Sequence, residues 1–378
     1  MADTEHTLQE IVFLEDLMKL SKISIQEICT TLNLSDNGLV EDLISSIWDK
    51  ISKDKDLKIY VLEPYVNKVF CSKTSSSWFE FIEKDEQQEL SDDKVDNLQR
   101  ETVREKIIKY AGFNPFKEIH VPKDKNISTK PTIIGAANRN DSEYIVRFMY
   151  NIGTQKSFLG NQIHYIPKIK LVTVLINEKY KVVEVRGDAT CVKKVSKEVG
   201  KIIEKSYALE EIKLKNKFNG NINEISSILN GEILNTSSIT AEEKSLTIEE
   251  SNSVAEILNV VNQYINNDID TNDFIDRMEN IKKLNEEFFE NNNFISSLLV
   301  GLVSVGLRAN KDLMEQPLYK LLQPYTISSE GSIIFKFNEE GMINTYTIHV
   351  TFTTNSIRLS SFATEALFSF IREKLIYK

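Results

Sequence analysis

The chain has 378 residues, a length that indicates two or three folding units. Hydrophobic residues make up 41% and charged residues 27%, which is ordinary globular usage and excludes a fibrous or wholly disordered protein. The acidic N-terminus does not resemble a secretory leader, and the longest apolar run, from Phe294 to Leu307, is interrupted by serines and is shorter than the roughly 20 residues that cross a bilayer. We therefore expect a cytoplasmic protein without a membrane partner.

Charge is distributed unevenly along the chain. Residues 1–116 carry 14 basic and 23 acidic residues, residues 117–218 carry 20 and 11, and residues 219–378 carry 12 and 22. Only the middle segment is positive, within a chain whose net charge is −10. This asymmetry predicts an anionic partner for the middle segment, and we assign the acidic ends to contacts with protein or with another copy of the chain.

The N-terminal segment is the first helical region. Apolar residues recur at helical spacing from Leu8 to Lys53, which predicts a small acidic helical module over residues 1–56. A mixed connecting region is predicted over residues 57–116. Its acidic stretch from Glu83 to Asp96 is expected to be a solvated loop.

Part of this module has the spacing of a known motif. Between Ser24 and Trp48, apolar residues at helical spacing lie on either side of Gly38. This arrangement resembles the SAP-type helix-extension-helix motif, and the resemblance implies DNA binding through basic and small polar residues near the glycine. Here Leu-Val-Glu-Asp follows Gly38, so we expect the module to dock protein or to dimerise. The resemblance is confined to residues 24–48, and no family is indicated for the chain as a whole.

The central segment gives the clearest local prediction. Strand-like stretches run from Tyr144 to Tyr150, from Ile169 to Ile176 and from Tyr180 to Arg186, the last two forming a hairpin. An amphipathic helix follows from Ala189 to Tyr207, with Asp188 as its N-cap. Residues 117–218 are therefore expected to form a basic α+β domain.

Lysines recur at four-residue intervals along one side of the predicted helix. The hairpin carries four further lysines, Lys168, Lys170, Lys179 and Lys181, and Arg186 ends its last strand. Ammonium and guanidinium groups placed in this way can contact successive phosphates of a nucleic acid. The predicted nucleic-acid-binding residues are Lys168, Lys170, Arg186, Lys193, Lys194, Lys197, Lys201 and Lys205. The alternative is a solvated helix face, partly neutralised by Glu198 and Glu204.

A second alternative is enzymatic. The triplet Glu184-Val185-Arg186, with Asp141 and Glu143 upstream, resembles the Glu-x-Lys signature of restriction-endonuclease-type nucleases. In such enzymes paired carboxylates hold Mg²⁺ while the basic residue stabilises phosphate charge. The competing interpretation is a surface salt bridge. We predict no metal site and no cofactor, because the four histidines stand alone and the chain has no phosphate-cradling glycine motif.

The C-terminal half is expected to begin with a linker. Residues 219–253 are rich in Asn, Ser and Thr, which predicts a polar linker. Helical spacing resumes at Val254, a hairpin is predicted between Ile333 and Phe352, and a closing helix runs from Phe362 to Ile376. Residues 254–378 are therefore expected to form a C-terminal domain of helices, antiparallel strands and one covering helix.

These elements predict an α+β protein with an N-terminal helical module, a central hairpin-plus-helix domain and a C-terminal helical and antiparallel β-plus-helix unit. The leading functional hypothesis is a non-enzymatic nucleic-acid-binding protein with protein-interaction modules at both ends. The alternatives are a protein-interaction subunit of a bacterial antiviral-defence or regulatory complex, which would be oligomeric, and the divalent-metal nuclease described above.

Overall fold

The structure is a computed structural model. It describes residues 5–83, 101–122, 127–159, 162–203, 207–240, 246–284, 286, 294–300, 302, 304–309 and 311–377. The chain divides into two compact units. Unit 1 comprises Met1–Lys217, Lys336–His349 and Thr354–Lys378, and unit 2 comprises Phe218–Phe335 and Val350–Thr353.

Short helices begin unit 1. They are α1 (Leu14–Leu17), α2 (Lys22–Thr31), α3 (Val40–Ile51), α4 (Lys55–Leu62) and α5 (Val66–Val69), with a 3₁₀ turn at Glu63–Tyr65. Polar side chains fix where two of them start, because Ser21 accepts a hydrogen bond from the Ser24 amide and Asp54 accepts one from the Leu57 amide. The helical spacing of the sequence is reproduced, and Ile28 and Ile47 are fully buried. The helices α2 and α3 contact each other.

The remaining elements of unit 1 are mostly strands. Between the N-terminal helices and unit 2 lie β1 (Ser75–Glu83), α6 (Val103–Ala111), β2 (Thr132–Asn138), β3 (Glu143–Leu159), β4 (Gln162–Asn177), β5 (Val182–Arg186), α7 (Ala189–Ile203), β6 (Tyr207–Glu211) and α8 (Leu214–Lys217). The predicted strands and the helix are thus present, but β3 and β4 are much longer than expected. Of the predicted acidic loop, residues 84–96 lie outside the described part of the chain.

Unit 2 and the C-terminal segment follow. Their elements are α9 (Ile222–Leu229), β7 (Glu232–Thr240), α10 (Ile248–Ile265), α11 (Thr271–Leu284), α12 (Phe294–Val300), β8 (Val305–Arg308), α13 (Pro317–Leu322), β9 (Thr326–Glu339), β10 (Met342–Thr351), β11 (Ser356–Leu359) and α14 (Glu365–Ile371). Short 3₁₀ turns lie at Leu313–Glu315 and Gln323–Tyr325, and a π-helical turn over Arg372–Ile376 extends α14. Two of the unit boundaries fall within β9 and β10, and the other two follow Lys217 and Thr353.

In unit 1 the strand order is β2-β3-β4-β5-β1-β11-β10, and β6 pairs with the end of β1 that β11 leaves free. The residue pairings of β1, β3 and β4 with their neighbours are antiparallel. Alternate residues of β3 and β4, such as Phe148 and Val172, pack with Val195 and Val199 of α7 into one hydrophobic core. The basic segment 117–218 therefore shares its sheet with β1 and with the C-terminal strands.

A buried ion pair joins the N-terminal helices to this sheet. The Arg147 guanidinium on β3 donates to both carboxylate oxygens of Asp16, at 2.8 and 2.6 Å, and both side chains are almost completely buried. Within the N-terminal region itself, Lys58 of α4 donates hydrogen bonds to the carbonyl oxygens of Glu10 and Val12. The predicted module 1–56 is thereby tied to the central strands within unit 1.

In unit 2, β7 pairs with β9 on one side and with β8 on the other, again antiparallel. The predicted linker 219–253 differs from the structure, because it contains α9, β7 and the start of α10. Its scattered isoleucines and leucines account for this order. Ile222, Ile225, Leu229 and Ile233 are all buried, whereas Ser227, Asn230 and Glu232 between them are exposed.

The predicted α+β class is confirmed, with helices and antiparallel strands mixed in the described structure. Among the described residues, no helix combines the length and the apolar character needed to cross a membrane.

Candidate nucleic-acid interface

Helix α7 carries most of the predicted binding residues. It begins after Asp188, whose Oδ1 accepts a hydrogen bond from the Cys191 amide at 3.0 Å, so the predicted N-cap is confirmed. Val195, Val199 and Ile203 recur at helical spacing and are completely or almost completely buried in the core of unit 1. Because one side of α7 faces this core, its other side is free to present charged residues to solvent.

The exposed side of α7 is basic. Lys193, Lys194, Lys197 and Lys201 are all exposed, whereas Lys205 lies outside the described residues. The four-residue spacing of Lys193, Lys197 and Lys201 places them in one row along the helix. The ammonium group of Lys194 lies 5.3 Å from the centre of the Tyr150 ring, which holds it over the middle of β3.

Glu198 neutralises one end of this row. It is buried, and it accepts hydrogen bonds from Lys201 at 2.7 Å and from the Tyr110 hydroxyl at 2.6 Å. Lys130 adds an ion pair at 3.2 Å. Burial alone would raise the pKa of Glu198, but these donors hold it below the ordinary value, so the carboxylate stays charged. Within the described part of the chain, Lys193 and Lys197 have no such carboxylate partner.

The hairpin lysines lie on the same side of the sheet as α7. Lys170 is paired with Tyr150 across β3 and β4, and its ammonium group lies 3.3 Å from Asp188 at the start of α7. Side chains alternate between the two faces of a strand, so Lys168 points to the same face two residues earlier. The structure thus brings together Lys168, Lys170, Lys193, Lys194 and Lys197, which we call the lysine patch.

Arg186 is placed apart from the lysine patch. Its side chain is buried, donates to Glu184 at 2.7 Å, and pairs with Glu365 at 2.8 Å. Arg372 completes the cluster by donating to both carboxylates, at 2.7 and 2.6 Å. A guanidinium held in this way cannot reach a phosphate at the surface, so we do not include Arg186 in the interface.

The same cluster bears on the nuclease hypothesis. Burial alone would raise the pKa values of Glu184 and Glu365, but Arg186 and Arg372 lower both below their ordinary values. Glu184 also accepts hydrogen bonds from Ser76 and Trp78, so its oxygens are fully engaged. Among the described residues, no group of three or more His, Cys, Asp or Glu side chains is placed to hold a metal ion. Glu184 and Arg186 therefore form a salt bridge, but a buried one.

One feature of this region is not among the predicted elements. Beyond the core, β3 and β4 continue as a two-stranded arm formed by residues 152–159 and 162–168, which we call the β-arm. It exposes Phe158, Ile163 and Tyr165, which are 72%, 50% and 62% accessible. The signal in the sequence was the absence of acidic residues between Glu143 and Glu178, combined with aromatic residues near Lys156 and Lys168.

Comparisons with known proteins returned no match: no family model, no curated protein and no solved structure is similar to this chain.

Proposed function

We propose that the protein binds nucleic acid through the lysine patch. The observation that carries the proposal is the convergence of two separate elements, because Lys168 and Lys170 on β4 lie on the same side of the sheet as the exposed lysines of α7. Phosphate contacts of this kind supply affinity without reading sequence. Binding is therefore expected to be non-catalytic and tolerant of sequence.

Local charge explains how an acidic chain can bind a polyanion. The net charge is −10, yet the segment 117–218 has nine more basic than acidic residues. Interactions between exposed charges are largely screened beyond about 8 Å at physiological salt, so a phosphate at the patch responds to the charges around it more than to the net charge of the whole chain. Lys170 is already paired with Asp188, so the other four lysines of the patch, each neutralising one phosphate, predict a slope of roughly −2.8 in log affinity against log salt for a single strand.

The test is a salt titration with the full-length protein. Replacing Lys193, Lys194 and Lys197 together by Glu should abolish binding of a fluorescently labelled oligonucleotide or weaken it at least 10-fold near 100 mM salt. Where binding remains measurable, the slope should become shallower by about 2, since three phosphate contacts are lost. Fluorescence anisotropy measures both quantities.

The matched control replaces Lys282, Lys283 and Lys311 by Glu. These lysines are exposed but lie in unit 2, so the control changes the net charge equally. It should change the affinity less than threefold. If the wild-type protein fails to bind at 20 mM salt, or if the control loses as much affinity as the α7 variant, the proposal is wrong.

A further inference from the structure

The β-arm exposes apolar side chains that do nothing for the core of unit 1. At about 3.3 Å per residue, eight residues of β3 extend for roughly 25 Å. Phe158, Ile163 and Tyr165 are at least half exposed, and the opposite face adds exposed Ile166. Large apolar side chains that cluster on a solvent-exposed element are typical of binding surfaces.

Strand pairing places three of these side chains on one face. Phe158 is paired with Ile163, and Lys156 is paired with Tyr165 two residues along the arm. Residues two apart on a strand point the same way, so all four side chains share one face. We call Lys156, Phe158, Ile163 and Tyr165 the aromatic face. The Lys156 ammonium group lies 5.8 Å from the centre of the Tyr165 ring.

The charge of the β-arm indicates what its occupant is. No acidic residue occurs between Glu143 and Glu178, whereas Lys156 lies on the aromatic face and Lys168 and Lys170 lie on the other face of the same pair of strands. A surface without carboxylates, in a chain with 56 acidic residues, complements an anionic partner. Flat aromatic rings beside cations provide both interactions that unpaired nucleotides make, namely base stacking and phosphate attraction.

We propose that the aromatic face stacks on unpaired bases and so makes the protein selective for single-stranded over double-stranded nucleic acid. This inference rests on the proposed function and adds the substrate class to it. Bases in a duplex are stacked on each other, so their flat surfaces are not available to Phe158 and Tyr165. The lysine patch attracts the phosphates of either form from the α7 side of the sheet, whereas the aromatic face, on the other side of the β-arm, distinguishes between the two forms.

The test compares one variant on two substrates. Replacing Phe158 and Tyr165 together by Ala in the full-length protein should weaken binding of a labelled single-stranded oligonucleotide at least 10-fold. The affinity for the duplex of the same sequence should change less than threefold, and the salt slope for the single strand should not change, because no charge is removed. Both side chains are exposed, so the unfolding temperature should stay within about 2 °C of the wild-type value.

The control and the contrary outcomes separate this inference from the proposed function. Ile166→Ala removes an exposed apolar side chain, but no charge, from the face of the β-arm that Lys168 shares, and should leave single-strand affinity within threefold. If the double variant loses equal affinity for single strand and duplex, or loses affinity for neither, the stacking proposal is wrong. The lysine variants test nucleic-acid binding by the lysine patch independently of that result. The proposal also fails if the double variant leaves single-strand affinity unchanged but abolishes binding to phosphatidylserine vesicles, or converts a dimer to a monomer in sedimentation.

Discussion

The carboxylate of Glu184 is surrounded by donors. It accepts hydrogen bonds from Arg186, Arg372, Ser76 and Trp78, at distances between 2.7 and 3.2 Å. Together with Glu365, the two carboxylates balance the charge of the two guanidinium groups. Removing one member of such a cluster leaves an uncompensated charge in a region without solvent, and that is more costly than losing the pair as a whole.

Glu184→Gln is therefore expected to lower the free energy of unfolding by about 3–5 kcal/mol, because Arg186 and Arg372 lose a charged partner. Urea unfolding followed by circular dichroism measures the loss. Glu80→Gln is the matched control, since Glu80 lies on the neighbouring strand β1 but is exposed, and its effect should stay within about 0.5 kcal/mol. A loss below about 1 kcal/mol for Glu184→Gln would mean that the cluster is solvated.

At the scale of single elements, close packing shows where a side chain is forbidden. Gly331 on β9 lies beneath Ile222 of α9, and a Cβ added there would meet Ile222 and lie 2.8 Å from the carbonyl oxygen of Asn235. Gly306 on β8 has no atom within 4 Å of its virtual Cβ. The two glycines therefore form a matched pair within unit 2.

Gly331→Ala is expected to destabilise unit 2 by about 1–3 kcal/mol, because α9 or β7 must move to admit the methyl group. Gly306→Ala should be neutral or slightly stabilising, because it restricts the unfolded chain without a clash. Thermal unfolding followed by circular dichroism compares the two variants. Equal effects would show that α9 yields easily, and would contradict the close packing of α9 on β9.

Some elements could be predicted from the sequence because their signals are local. The helix α7 was predicted from valines at helical spacing and a cap at Asp188, both of which depend on neighbouring residues alone. The β-arm was missed because Gly153 and Pro167 interrupt the alternation that marks a strand, and because its apolar residues face solvent rather than a core. The row of lysines on α7 was also predicted, whereas its relation to Lys168 depends on a pairing that only the fold supplies.

At the scale of the whole molecule, contacts between residues far apart in the chain determine which charged side chains are buried, and local sequence patterns do not predict those contacts. Arg186 follows a strand and precedes a lysine-rich helix, so its local context is that of a phosphate ligand. Its partner Glu365 lies 179 residues further along the chain, and no local pattern predicts that contact. The same holds for Asp16 and Arg147, which are 131 residues apart and attach the N-terminal helices to the central strands. The fold places these buried charges next to oppositely charged partners, because burying a charge without a partner costs too much free energy.

These buried carboxylates predict how the stability of unit 1 depends on pH. Burial alone would raise the pKa of each, but Arg147 lowers the pKa of Asp16 below its ordinary 3.8, and Arg186 and Arg372 lower those of Glu184 and Glu365 below 4.5. A group whose pKa is depressed in the folded state stabilises the protein above its unfolded pKa, and that contribution is lost as pH falls. Below about pH 4, the free energy of unfolding should therefore fall by up to roughly 4 kcal/mol for each pH unit. Each of the three carboxylates contributes about 1.4 kcal/mol per pH unit to this fall.

Asp16→Asn isolates one third of this effect. The variant should be less stable at pH 7 by about 3–5 kcal/mol, because Arg147 loses its charged partner. Below pH 4 its free energy of unfolding should fall less steeply than that of the wild type, by about 1.4 kcal/mol per pH unit, because one fewer proton is taken up on unfolding. Urea titrations between pH 3 and pH 7 measure both the loss of stability at pH 7 and the acid slope. The control is Glu41→Gln, which changes an exposed carboxylate on α3 and should give the same dependence of unfolding free energy on pH as the wild type. If the acid slope of Asp16→Asn equals that of the wild type, the Asp16–Arg147 pair does not hold the N-terminal helices against the sheet by charge.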